Sequence, residues 1–134
     1  MFELSFQVDY VDTDAMGIVH HGRYCRYLER ARVRWLEDQG LSYKEMEEQG
    51  FALPLRKLSL EYFKPLRFDD KARIRLKVGS VSRSRILLAY EIFDHQGEAL
   101  LSRAETEHVL IRNQKLVSIP LEWRKLWLPQ KEQK

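Results

Sequence analysis

The sequence predicts an α+β domain in which an antiparallel sheet of five to six strands wraps one long central helix. Three observations carry that expectation. Apolar residues recur with helical spacing over a single long stretch, Tyr24, Tyr27, Leu28, Ala31, Trp35 and Leu36. Period-two alternation marks strands on both sides of that stretch, at Phe2–Tyr10 and Lys71–Ser82. The later strand signals follow one another across short turns with no second long helix between them, so neighbours pair antiparallel.

Each element has its own signature. Phe2, Leu4, Phe6, Val8 and Tyr10 alternate with Glu3, Ser5, Gln7 and Asp9, as in a half-buried strand. The helix from Tyr24 sets its apolar positions against Arg23, Arg26, Arg30, Arg34 and Glu37 on its other faces, and Gly40 stops it. Ser42 caps a short second helix over 43–49, with Glu45 placed for a capping box and Gly50 at its end. A strand follows over 53–64, where Leu58, Leu60 and Tyr62 alternate with Ser59, Glu61 and Phe63; Pro65 and Asp69-Asp70 mark the next turn.

The strand over 71–82 turns Ala72, Ile74, Leu76 and Val78 inward and sets Lys71, Arg73, Arg75 and Lys77 on the opposite face. After the turn at 82–85, the nearly continuous apolar run 86–93 predicts a central strand buried on both faces. Asp94-His95-Gln96-Gly97 reads as a hairpin turn, then come a strand over 99–112, the pair Asn113-Gln114, and a short strand over 116–119. Pro120 opens a last short helix with Trp123, Leu126 and Trp127. Residues 1–129 form one domain, and 130–134 are expected to be a disordered tail.

Composition narrows the function classes. A chain of 134 residues has room for one core. The net charge of +3 is mild: it suits a small phosphate-rich ligand, and no glycine- and aromatic-rich signature supports a basic RNA-binding module. No apolar run is long enough to span a bilayer, and no basic segment followed by an apolar core opens the sequence. The lone Cys25 rules out an internal disulfide. A cytoplasmic protein without stable membrane insertion is expected.

The stretch between the first strand and the long helix holds Asp12, Asp14, His20, His21, Gly17 and Gly22. Loops on rigid elements are where chemistry usually sits. The sheet's apolar face must be covered by the long helix, which puts this loop at the helix N-terminus. Free backbone N–H groups and a partial positive charge there favour a developing anion. A carboxylate beside such a site is a plausible hydrolytic pair.

The pattern Tyr10-x-Asp12-Thr13-Asp14-x-x-Gly17-Ile18-Val19-x-His21-x-x-Tyr24, with Glu29 and Arg32 further along the helix, resembles the hotdog-fold acyl-CoA thioesterases. Within them it is most similar to the 4-hydroxybenzoyl-CoA thioesterase family, which includes bacterial acyl-CoA thioesterases encoded beside the Tol-Pal system. The likeness continues through Glu61-Tyr62-Phe63-Lys64-Pro65 and Phe68-Asp69-Asp70 and ends near Ser118-Ile119-Pro120. The resemblance implies a hydrolase for an acyl-CoA substrate, with no cofactor and no metal. It implies that Asp14 is the catalytic carboxylate, either as nucleophile or as general base. His21 would help position or polarise the carbonyl, with its backbone N–H facing the oxyanion. Ala52 matches the position of another backbone N–H near the carbonyl, and Arg83 a basic residue that contacts CoA phosphates, with Arg85 beside it. His20 departs from the family pattern, where many relatives carry an aromatic residue. The family's dimers, commonly paired into tetramers, imply a homotetramer with active sites between subunits.

Each signal also has a plainer reading. Asp12 and Asp14 can be turn or capping residues, and Asp12 is taken as structural. His21 alone would be an ordinary polar residue, raised only by Asp14 beside it. Cys25 four residues from His21 reads as a small hydrophobe rather than a nucleophile. His20, His21, Cys25 and Glu29 lack a compact metal-ligand spacing. The basic face Lys71, Arg73, Arg75 and Lys77 is a solvated surface unless it joins a CoA channel or a subunit contact. The different-class alternative is a non-catalytic scaffold on the same fold, docking an acyl carrier or a membrane-biogenesis partner.

Overall fold

The helix decides the architecture. In the computed structural model, which describes residues 1–128, helix α1 spans Tyr24–Asp38 and buries Tyr24, Tyr27, Leu28, Ala31, Trp35 and Leu36, the six positions its periodicity selects. The tail expected over 130–134 lies outside the described residues. Strands β1 (Phe2–Gln7), β3 (Leu55–Tyr62), β4 (Lys71–Val81), β5 (Ile86–Asp94) and β6 (Leu100–His108) form one antiparallel sheet in the order β1-β4-β5-β6-β3. Its concave face presents Ala72, Ile74 and Leu76 of β4 and Ile86, Leu88, Tyr90 and Ile92 of β5, all buried under α1. This is the hotdog arrangement: a sheet rolled around one helix.

A second, three-stranded sheet was not foreseen. The expected strand over 99–112 breaks at Val109, where β6 leaves the main sheet and β7 (Leu110–Arg112) pairs with β8 (Lys115–Val117) and with β2 (Phe51–Ala52). The β7–β8 turn is Asn113-Gln114, both at positive φ. Gly50, after the helix α2 (Tyr43–Glu48), takes a φ of +84°, and a Cβ there would overlap the Asn113 side chain. Ser42 caps α2 by accepting the Glu45 N–H at 3.4 Å. The last helix α3, Leu121–Trp127, buries Trp127 against Trp35, with ring centroids 5.7 Å apart.

Three sequence expectations change. Tyr10 is not an inward strand residue: the chain leaves β1 at Gln7 and turns tightly over Tyr10–Asp12, leaving Tyr10 exposed. β5 is central but buried on one face only, with Leu87, Ala89, Glu91 and Phe93 half-covered. Among the described residues no second layer packs on the outer face, and long charged side chains cover it instead, as Arg75 does over Phe93 at 4.2 Å. The strand expected over 53–64 is the shorter β3, Leu55–Tyr62, preceded by the separate β2, and β3 is an edge with Leu55, Leu58 and Tyr62 exposed. No helix among the described residues is long and apolar enough to cross a membrane.

A polar chain crosses the core. Arg32 donates to the Tyr90 hydroxyl at 3.3 Å, Tyr90 meets the Thr106 hydroxyl at 2.6 Å, and Thr106 meets His108 Nε2 at 2.9 Å. His108 Nδ1 contacts the Leu53 carbonyl at 3.1 Å; a carbonyl only accepts, so Nδ1 carries the proton and Nε2 accepts from Thr106. Burial first, then the charge of Arg32, push His108 down from 6.5 to about 4. The unfolded chain therefore takes up a proton at His108 before the folded chain does. Stability is full above the unfolded value and is lost as pH falls from about 6.5 toward 4, by about 2 kcal/mol at pH 5. Denaturant unfolding at pH 7 and pH 5 should show that loss, and His108→Gln should shrink it.

Candidate active site

The loop between β1 and α1 is held by its own backbone before any side chain acts. Thr13 bridges Val19 and Ile18 bridges Arg67, folding residues 13–19 back on themselves. Gly17, at a φ of +76°, closes the turn by donating to the Asp14 carbonyl at 3.0 Å. Asp12 lies below, fully buried, accepting from the Tyr27 hydroxyl at 2.6 Å and from Arg26, while its carbonyl takes the His20 N–H at 2.9 Å. Burial, then the bond to Asp12, push the Tyr27 phenol up to about 12. Asp12 is therefore the post on which the loop stands, as its structural reading requires.

Asp14 is exposed above that post. Its Oδ1 accepts the Met16 N–H at 2.8 Å and the Ile18 N–H at 3.4 Å, while Oδ2 has no partner among the described residues. Asp14 and His21 line one cavity of about 370 Å³, together with Tyr24, Tyr62, Phe63 and Lys64. A tight turn over His21–Arg23 leads into α1, so the cavity opens on a helix start. The His21 N–H has no protein partner among the described residues. Its carbonyl accepts the Tyr62 hydroxyl at 3.0 Å, and its ring stacks on that of His20 at 4.2 Å. His20 Nδ1 accepts the Gly22 N–H at 3.2 Å. Tyr62 packs edge-on against Tyr24, at 5.0 Å. Burial raises both phenols, so both stay protonated and Tyr62 remains a donor.

The structure brings Asp14 and His21 together and sets the other expected site residues elsewhere in the chain. Ile86, His108 and Leu55 lie in one row across the sheet, and Tyr62 and Ser102 in another. Ala52, Arg83 and Arg85 border the first row, whereas Tyr62 contacts His21 at the second. Eight-residue β3 separates them by roughly 23 Å. Arg83 donates to the Ser118 hydroxyl at 3.2 Å, and Arg85 faces Glu107 at 3.5 Å, where Arg56 also binds at 2.9 Å. Sequence reasoning gave Tyr62 and Lys64 no role, although both stand in the Glu61–Pro65 motif; the signal was the motif itself.

The fold and the sequence have counterparts among known proteins. A family model described as the thioesterase-like superfamily matches residues 8–128. A 1,4-dihydroxy-2-naphthoyl-CoA hydrolase of Synechocystis is 32% identical over 126 residues, covering 92% of this chain and 91% of the relative. The acyl-CoA thioester hydrolase YbgC of Escherichia coli is 31% identical over 105 residues, 78% of each chain. The crystal structure of a hypothetical protein from Aquifex aeolicus superposes with a TM-score of 0.89 at 35% identity, covering 95% of this chain and 99% of that one.

Proposed function

The chain belongs to the thioesterase-like superfamily, and from that premise we propose that it is a thioester hydrolase that cleaves an aromatic or short- to medium-chain acyl-CoA into the free acid and CoA. One observation supports the reading above the others: Asp14, whose Oδ2 has no partner among the described residues, and His21, whose backbone N–H has none there either, line the same cavity at a helix start. Asp14 Oδ2 either attacks the thioester carbonyl or draws a proton from the water that does. Negative charge moving onto the carbonyl oxygen is met by the His21 N–H and the positive end of α1. The C–S bond then breaks and CoA leaves as a thiolate; a thiol pKa of about 8.5 lets it depart with little acid help, and where Asp14 attacked, water then hydrolyses the acyl–Asp14 anhydride to the free acid. No cofactor or metal is required by this route.

A homo-oligomer completes the proposal. β3 is an unprotected edge with exposed Leu55, Leu58 and Tyr62. A second copy laid antiparallel along it covers these residues and carries its own Ala52, Arg83 and Arg85 toward the first copy's Asp14, where arginines suit CoA phosphates. Such dimers paired into tetramers, acting in the cytoplasm, are the assembly and place we propose. The test is release of free thiol from a panel of aromatic and aliphatic acyl-CoAs. Turnover of one class assigns the substrate class, whereas no turnover by a folded, oligomeric protein overturns the enzyme reading in favour of a binding protein.

A further inference from the structure

The N–H expected to face the oxyanion belongs to a turn that is fixed from two directions. The His21 N–H shares its peptide plane with the His20 carbonyl, which accepts the Arg23 N–H at 2.8 Å. The next peptide, His21–Gly22, is gripped at both ends by side chains. Its carbonyl accepts the Tyr62 hydroxyl at 3.0 Å, and its N–H donates to His20 Nδ1 at 3.2 Å. With both flanking planes held, His21 has little freedom in φ or ψ, and the direction of its N–H is set before any substrate arrives.

The two grips differ in kind. His20 sits at the N-cap position of the His21–Arg23 turn and works as a capping side chain, with an imidazole nitrogen where an asparagine or serine oxygen usually serves. Tyr62 reaches from β3, 41 residues away in sequence, and its ring is steadied edge-on by Tyr24. It therefore ties the turn to the edge of the sheet.

We propose that His20 and Tyr62 are positioning residues for thioester hydrolysis, clamping the His21–Gly22 peptide so that the His21 N–H is aimed at the reacting carbonyl. The inference rests on the functional reading above. His20→Ala and Tyr62→Phe each remove one grip; the phenylalanine keeps the ring on Tyr24. Each should lower kcat by about tenfold with KM within about twofold of wild type, because a loosely aimed donor fails mainly where charge develops. The double variant should be little slower than the worse single, since both grips hold one peptide. His20→Asn, whose Oδ1 can accept the same N–H, should recover most of kcat.

Amide exchange at Gly22 gives a readout independent of turnover. It should quicken by about tenfold in His20→Ala and return toward wild type in His20→Asn. Unchanged kcat, a loss confined to KM, independent multiplication of the two effects, or no rescue by asparagine overturns the positioning role. Unchanged Gly22 exchange overturns the clamp itself. A wild-type protein that turns over no acyl-CoA overturns the functional reading and the catalytic purpose of the clamp, while Gly22 exchange still decides whether the clamp exists.

Discussion

Asp14→Asn should reduce kcat on any acyl-CoA the protein hydrolyses by about three powers of ten, with KM and unfolding free energy close to wild type. The expectation follows from how the two carboxylate oxygens are used. Oδ1 accepts the Met16 and Ile18 N–H groups, and an amide oxygen can do the same, so the loop keeps its shape. Oδ2, free of protein partners among the described residues, becomes an amide nitrogen, which is neither a nucleophile nor a base. Thiol release under saturating and limiting substrate separates kcat from KM. A variant within about tenfold of wild type would remove Asp14 from the chemistry. Single turnover in ¹⁸O-water tests the nucleophilic role: label found in Asp14 shows that it attacked the carbonyl and that water then opened the anhydride at the Asp14 carboxyl.

Asp12→Ala should destabilise the fold by about 3 kcal/mol, the largest stability loss expected from one substitution in the loop. The carboxylate is fully buried, and removing it leaves the buried Tyr27 O–H with no acceptor, although that hydroxyl still accepts the Asp9 N–H at 3.2 Å, and frees Arg26. The Arg26 side chain is 42% exposed, so water recovers most of its charge and the Tyr27 hydroxyl carries most of the cost. Asp12→Asn keeps an acceptor for Tyr27 and should lose only about 1 kcal/mol. Denaturant melts of both variants test the ordering; a loss below about 1 kcal/mol in the alanine variant would show that the loop stands without its post.

What the sequence made legible was whatever a local period can encode. The six buried positions of α1 and the inward Ala72, Ile74 and Leu76 of β4 follow from spacings of 3.6 and 2. Asp14 and His21 were found by their pattern, and they do share a cavity. The misses share a cause as well. Residues 99–112 hold no glycine or proline, and Val109-Leu110-Ile111 reads as more strand, so nothing local announces that Val109 is where the chain changes sheets. β5 is apolar enough for two buried faces, yet whether a second layer exists is not written in β5. Arg32, Tyr90, Thr106 and His108 join across up to 58 residues of chain, and Tyr62 reaches His21 across 41, distances at which no periodicity operates.

Gly50 and Asn113 form a single structural unit. A side chain at 50 must both accept a left-handed backbone and displace the amide that fills its place, while the backbone N–H of Asn113 donates to the Gly50 carbonyl at 2.9 Å. Neither site should drift alone over evolutionary time. In a library randomised at both, survivors should be drawn from glycine at 50 paired with residues at 113 that tolerate positive φ, so that variation at one position is read only through its companion.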